Sequence, residues 1–172
     1  KRSNVLDAGS GSKAVFANSA RLLGYKRIFA CDLQSSRING VQSSIQDLTS
    51  TTYKNEQFQF IACHSVIEHG IDIEVFLREM FRIASPGAGL CISTDFWPEP
   101  EDHSDKYPYG VENPPMKLFN MFSMNDLVAQ AKAIGWSVQD FPRNLQLTER
   151  PVSWPRMNAS YTFIWSFLVK PL

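Results

Sequence analysis

Val5-Leu6-Asp7-Ala8-Gly9-Ser10-Gly11-Ser12-Lys13-Ala14 is the stretch whose reading decides the fold. The apolar pair Val5-Leu6 has the character of a strand tip. The two glycines let the backbone bend tightly and keep Cβ atoms out of the way of an approaching ligand. Ala14, Val15, Ala17, Leu22 and Leu23 then recur at helical spacing as far as Gly24. The order is strand, glycine bend, helix. Taken alone, Gly9-x-Gly11 suits a plain tight turn as well as a ligand cradle.

The rest of the chain repeats that alternation. Residues 27–32 (RIFACD) read as a second buried strand, 44–48 (SIQDL) as a weaker third and 58–63 (FQFIAC) as a fourth. Asp72 is placed to cap a helix with Val75, Phe76, Met80 and Phe81 on its apolar face, ending before Pro86-Gly87. A fifth strand follows over 89–96. Ser123 is placed to cap a helix that stops at Gly135, and strands six and seven occupy 136–141 and 161–169. Near-continuous apolar strands alternating with helices predict an α/β protein with a mostly parallel, doubly wound sheet covered on both faces. Between Trp97 and Leu118, five prolines and an acidic cluster predict a long loop of the functional kind.

Composition narrows the function classes. At 172 residues, residues 1–172 are expected to form one domain. Seventeen lysines and arginines balance seventeen aspartates and glutamates, so no global positive field gathers phosphate backbones, and nucleic acid is not the expected partner. No apolar run approaches the roughly 20 residues of a membrane span. Cys31, Cys63 and Cys91 lie far apart without a CxxC pair, so no metal site is expected and reduced thiols in a cytoplasmic protein fit best.

Two carboxylates sharpen the reading of the glycine bend. Asp32 ends the second strand about 20 residues on, where an acid can accept both hydroxyl hydrogens of an adenosine ribose. Asp47 ends the third strand, placed to accept from the exocyclic amine of adenine while Leu48 packs on the ring; a strand-end turn residue is the plain alternative.

At these residues the sequence resembles the class I S-adenosylmethionine-dependent methyltransferases, particularly the group that includes ubiquinone and menaquinone biosynthesis enzymes. Asp7-Ala8-Gly9-Ser10-Gly11 is similar to that family's glycine motif, in which the acid helps hold the methionine amino group. Cys31-Asp32-Leu33 resembles its ribose-binding acid, Gln46-Asp47-Leu48 its adenine motif, and His64 to His69 the segment that meets the methionine end. Residues 82–95 resemble its turn into strand five. The resemblance implies a Rossmann-like sheet of seven strands with the last one antiparallel, S-adenosyl-L-methionine as cofactor, and methyl transfer to a small-molecule or glycan acceptor. It also implies helices ahead of the first strand, which this sequence lacks. Lys13 stands where the family has a third glycine, and a solvent-facing side chain is the reading preferred for it.

Gly9-x-Gly11-x-x-Ala14 with Asp32 also satisfies a nicotinamide fingerprint, so an NAD-dependent oxidoreductase is the rival class, and a weakly active cofactor-binding module is a third reading. Asp7, Asp47 and the ending of the chain favour the methyltransferase. The sulfonium carries the hard chemistry, leaving the protein to align a lone pair and exclude water. Where a base helps, His64 and His69 are the candidates. Trp97, Tyr107 and Tyr109 are candidates to stack on the acceptor, with pinning of the loop as the alternative. Asn113-Pro114-Pro115 is read as a stiffened lid.

Overall fold

In a computed structural model of the chain, residues 2–34, 38–108, 110–141, 145 and 147–172 are described. The strands are β1 (Asn4–Ala8), β2 (Arg27–Asp32), β3 (Gln42–Ile45), β4 (Phe58–His64), β5 (Ala84–Phe96), β6 (Ser137–Asp140), β7 (Val152–Trp154) and β8 (Ala159–Val169). The α-helices are α1 (Val15–Leu22), α2 (Ile73–Ile83) and α3 (Met121–Ile134). The main sheet runs β3-β2-β1-β4-β5-β8-β6. From β3 to β5 every pairing is parallel, whereas β8 is antiparallel to both β5 and β6 between which it lies. This is the Rossmann-like, mostly parallel sheet with an antiparallel last strand that the resemblance implies. The strand order reverses between β1 and β4, and in open α/β sheets the crevice beyond the carboxyl ends at such a point takes the ligand.

The pleat sorts side chains between two layers. Val5, Ile28 and Ala30 face α1 and pack with Ala14, Ala17 and Ala20. Leu6, Cys31, Ile61, Cys63, Leu90 and Ile92 point to the other face, into the main core under α2 and α3. The Asp72 side chain caps α2 by accepting from Val75 N at 3.0 Å, as expected. The helix buries Phe76, Leu77, Met80 and Ile83, positions that fall on one side at 3.6 residues per turn. Val75 lies off that stripe and is 42% exposed, so it does not belong to the buried face expected of it.

Several expected boundaries move. The third strand is Gln42–Ile45, so Asp47 and Leu48 sit just past it: the chain leaves the edge at Gln46, whose amide donates to Asp32 O at 2.9 Å. β5 starts at Ala84, carrying Pro86-Gly87 into the strand through an irregularity in its register with β4. The sixth strand is trimmed to Ser137–Asp140. Asn120 caps α3, and Ser123 is its reciprocal partner three residues on, each side chain accepting from the other's backbone N–H. An eighth strand not expected from the sequence, β7, folds back on β8 as a short hairpin. Cys31, Cys63 and Cys91 are free thiols, and no three described His, Cys, Asp or Glu side chains form a metal-binding group. No helix among the described residues is long and apolar enough to cross a membrane.

On the α1 side the covering is uneven. α1 lies over β1 and β2 and reaches β4 through Phe16, whose ring is 5.6 Å from that of Phe60. Beyond it, Phe163 and Trp165 of β8, opposite Asp95 and Ser93, are each 52% exposed.

Candidate cofactor site

The bend after β1 is held by the second strand. Gly9 N and Ser10 N both donate to Cys31 O, at 2.8 and 3.1 Å, which carries the chain over the tip of β2. Gly9 has φ +76°, and a Cβ there would stand 2.3 Å from Val66 Cγ2, so no larger residue fits. Gly11 has φ +57° and donates its N–H to Asp32 Oδ2 at 2.9 Å. The left-handed conformation recurs at Ala14 (φ +37°), which precedes α1 without a side-chain cap. Lys13 is exposed and its backbone carbonyl accepts from the Asn18 side chain at 2.9 Å, in keeping with a solvent-facing side chain.

A cleft of about 720 Å³ opens over this bend. Of the expected cofactor residues, Gly9, Gly11, Asp32, Leu33, Asp47 and Leu48 line it together. Asp32 Oδ1 also accepts from Gln34 N at 3.1 Å. Asp47 is exposed at the mouth, its Oδ1 accepting from both Thr49 N (2.8 Å) and Thr49 Oγ1 (2.7 Å); these bonds hold its carboxyl below the usual range. Leu33 is 75% exposed, whereas Leu48 is nearly buried.

Asp7 is not on the cleft wall. It is 4% exposed and its Oδ2 accepts from Ala17 N at 2.9 Å, tying the end of β1 to α1. Burial raises its pKa, against the lowering effect of that bond.

The two histidines part company. His69 lines the cleft, and burial is the main influence on its ring, lowering the pKa against the raising effects of the Ser65 backbone and Asp32. His64 ends β4 on the α1 side and does not line the cleft; its Nδ1 is 3.1 Å from Ser93 Oγ and its ring meets Phe16 edge-on. Burial lowers its pKa too.

Nor do Trp97 and Tyr107 line the cleft. Trp97 is buried with Met116, Leu118, Ala159 and Tyr161 in a small separate core, capped by the Arg150 guanidinium 3.8 Å from its ring centroid. Arg150 also pairs with Glu101 and donates to Ser160 O at 2.8 Å. Tyr107 is half-buried, its carbonyl accepting from Gly110 N, and Tyr109 lies outside the described residues. The loop is represented in the cleft by Pro108, Asn113, Pro114 and Pro115.

Gln46, Ser65 and Val66, which belong to the motifs at 46–48 and 64–69 but not to the expected site residues, also line the cleft. Ser65 sits at φ +51°, a strained backbone for a non-glycine residue, with its N–H donating to Ser93 O at 3.0 Å. Glu68 is 3% exposed, its Oε2 accepts from Thr94 Oγ1 at 3.1 Å and its Oε1 has no protein partner among the described residues. Burial pushes its pKa up to about 7, with Asp95 adding to the rise; burial takes Asp95 itself to about 6. The Glu68 carboxyl turns to β5, and Asp72 caps the following helix.

Comparison with known proteins fits this geometry. A methyltransferase-domain family model matches residues 1–140. The chain belongs to that family. This sets aside the oxidoreductase reading that the glycines alone allowed. Norajmaline N-methyltransferase of Rauvolfia serpentina is 28% identical over 104 residues, 54% of this chain and 36% of that enzyme, so the chain spans about a third of that relative's length. Two solved structures share the fold. The YcgJ protein of Bacillus subtilis has a TM-score of 0.75 at 12% identity, covering 99% of this chain and 93% of that one. Phosphoethanolamine N-methyltransferase 2 of Haemonchus contortus, in complex with phosphomonomethylethanolamine and S-adenosylhomocysteine, has a TM-score of 0.69 at 14% identity, covering 100% and 49%.

Proposed function

We infer that this methyltransferase domain binds S-adenosyl-L-methionine in the cleft above Gly9 and Gly11 and directs its methyl group to a small-molecule acceptor, an amine in preference to a glycan. The observation that carries the reading is the meeting at one cleft of Asp32, at the tip of β2, and Asp47, just past the adjacent β3, with the glycine bend at Gly9 and Gly11. That set suits the cofactor: two acids for hydrogen-bond donors of a nucleoside, an apolar wall at Leu48 and Ile71, and room at Gly9–Gly11 for an amino-acid tail. In this reading Asp32 takes the ribose hydroxyls, Asp47 and Leu48 the adenine, and Asp7 holds the bend in place through α1 without touching the ligand.

When bound, the cofactor supplies an electrophilic methyl group, and the protein's part is to orient the acceptor and keep water out. An acceptor amine must present a lone pair, so a proton has to leave it. His69 is the histidine on the cleft wall and is held toward its neutral form by burial, which suits a group that accepts that proton at a ring nitrogen. The amine preference is drawn from the two N-methyltransferases to which the chain is similar.

Calorimetry with S-adenosylhomocysteine and with NAD tests the cofactor. Binding of the first without the second is expected; binding of NAD alone would overturn the reading. Methyl transfer from labelled S-adenosylmethionine to a panel of primary and secondary amines, against matched alcohols, then tests the acceptor class.

A further inference from the structure

The loop after β5 reaches much further across the sheet than its anchors require. It leaves at Phe96 and returns at Phe119, and both feet are fastened to each other: Phe119 N donates to Asp95 O and Trp97 N to Phe119 O, each at 2.9 Å. Its outer limb is tied again by Met116 N donating to Lys106 O at 2.7 Å, by the small core around Trp97, and by Arg150. Yet Asn113, Pro114 and Pro115 line the same cleft as Asp32, Asp47 and Leu48, which belong to β2 and the end of β3. In the sheet order β4 and β1 stand between β5 and β2. The loop therefore passes at least the end of β4, which Gly70 follows, to enter the cleft from the β5 side.

Its contact on the way is tight. Pro114 rests on Gly70, at φ +87°, where an added Cβ would lie 2.9 Å from Pro114 Cγ. The glycine admits the proline ring at the turn between β4 and α2. Two successive prolines fix φ and offer no N–H, so this stretch is a stiff apolar roof and not a hydrogen-bonding one.

We propose that Asn113-Pro114-Pro115 is a clamp over the nucleoside end of the cofactor cleft, seated on Gly70, and that the loop must lift for the spent cofactor to leave. The inference rests on the cofactor reading above. The adenosine moiety engages the clamp, because Gly70, on which Pro114 rests, adjoins Ile71 of the apolar wall that this reading gives the adenine. The amino-acid tail, lying over Gly9–Gly11, does not. Lifting costs the Pro114–Gly70 contact, while the feet at Asp95 and Phe119 stay closed. Such a lid makes release of product a slow step of turnover.

Hydrogen exchange of the peptide spanning 110–118 is measured with S-adenosylhomocysteine, adenosine or homocysteine, alongside stopped-flow dissociation of S-adenosylhomocysteine. The first two ligands are expected to slow exchange there and homocysteine to leave it unchanged. Replacing both Pro114 and Pro115 by glycine is expected to speed dissociation about tenfold with little change in association, and Gly70→Ala, which pushes Pro114 off its seat, to act the same way. Circular dichroism and thermal unfolding establish that each variant is folded. The clamp is refuted if S-adenosylhomocysteine binds the parent chain but exchange at 110–118 does not respond, or if the double glycine variant releases it at the parent rate. Failure of the parent chain to bind S-adenosylhomocysteine at all removes the cofactor reading and this inference with it.

Discussion

Gly9 and Val66 are in contact so close that a Cβ on the glycine would stand 2.3 Å from Val66 Cγ2 and 3.0 Å from Cγ1. Valine is branched at Cβ and cannot swing its methyls aside without changing rotamer. The bend after β1 and the turn after β4, the two lips of the switch point, are thus locked together. Gly9→Ala is expected to weaken S-adenosylhomocysteine binding at least tenfold and to lower the melting temperature. Adding Val66→Ala should recover part of both, since it removes the clashing methyls; a double variant no better than the single one would show that positive φ, and not the contact, demands glycine.

Asp32 joins the cleft through a carboxylate that already orders Gly11 N and Gln34 N. Asp32→Ala is expected to reduce S-adenosylhomocysteine affinity by about 1–3 kcal/mol, the range for a charged hydrogen bond. Calorimetry reads this directly, and unchanged affinity would remove Asp32 from the ribose site.

Glu68 makes stability depend on pH in a defined direction. Its folded pKa of about 7 stands above the ordinary 4.5, so between those values the unfolded chain gives up a proton that the folded one keeps. Stability therefore falls as pH rises through that window, by up to about 1.4 kcal/mol per unit, and the penalty is complete above it. Glu68→Gln, which never ionises, should gain on the parent from pH 5 to pH 7 and then hold a constant advantage, on the order of 2 kcal/mol. Urea unfolding at pH 5 and pH 8 checks it; equal differences at the two values would contradict the assignment.

Arg150 closes the small core around Trp97 from a distant part of the chain. Arg150→Ala forfeits the stacking on the indole and the pairing with Glu101, and is expected to cost about 1–2 kcal/mol of stability. Arg150→Lys should restore less than half, because an ammonium cannot stack as a plane while forking to a carboxylate and a carbonyl. Full rescue by lysine, read by denaturant unfolding, would mean that charge alone matters.

Local chemistry accounts for what could be read before the structure. The buried strand Arg27–Asp32 was legible to the residue because apolar positions run nearly unbroken up to an acid, and Asp72 announced its helix by its place before an apolar stripe. β3 starts two residues and ends three residues before the expected 44–48, because an edge strand made of Gln42, Ser43 and Ser44 carries no apolar pattern to align. Asn120 and Ser123 are both good caps, and only their mutual hydrogen bonds reveal which one stands first. β7 has three residues between prolines and exists through pairing with β8. In the cleft, Asp32 was legible because β2 ends where its apolar run ends, whereas Asp47, past the end of β3, was legible through its place in Gln46-Asp47-Leu48. The proline loop's arrival in the cleft was not, since it rests on the contact of Pro114 with Gly70, far apart in the sequence. The same holds for Trp97, which joins the chain's far end.

The half-exposed rings of Phe163 and Trp165, beside the territory of α1, have a practical outcome for anyone handling this polypeptide. Oily surface of this kind invites adhesion: the material should brighten an amphipathic dye such as anilinonaphthalene sulfonate, and cling to phenyl resin, while fully native. Replacing both rings by threonine, which keeps the strand's branched character, should make it freely soluble without disturbing the nucleoside crevice on the sheet's carboxyl edge.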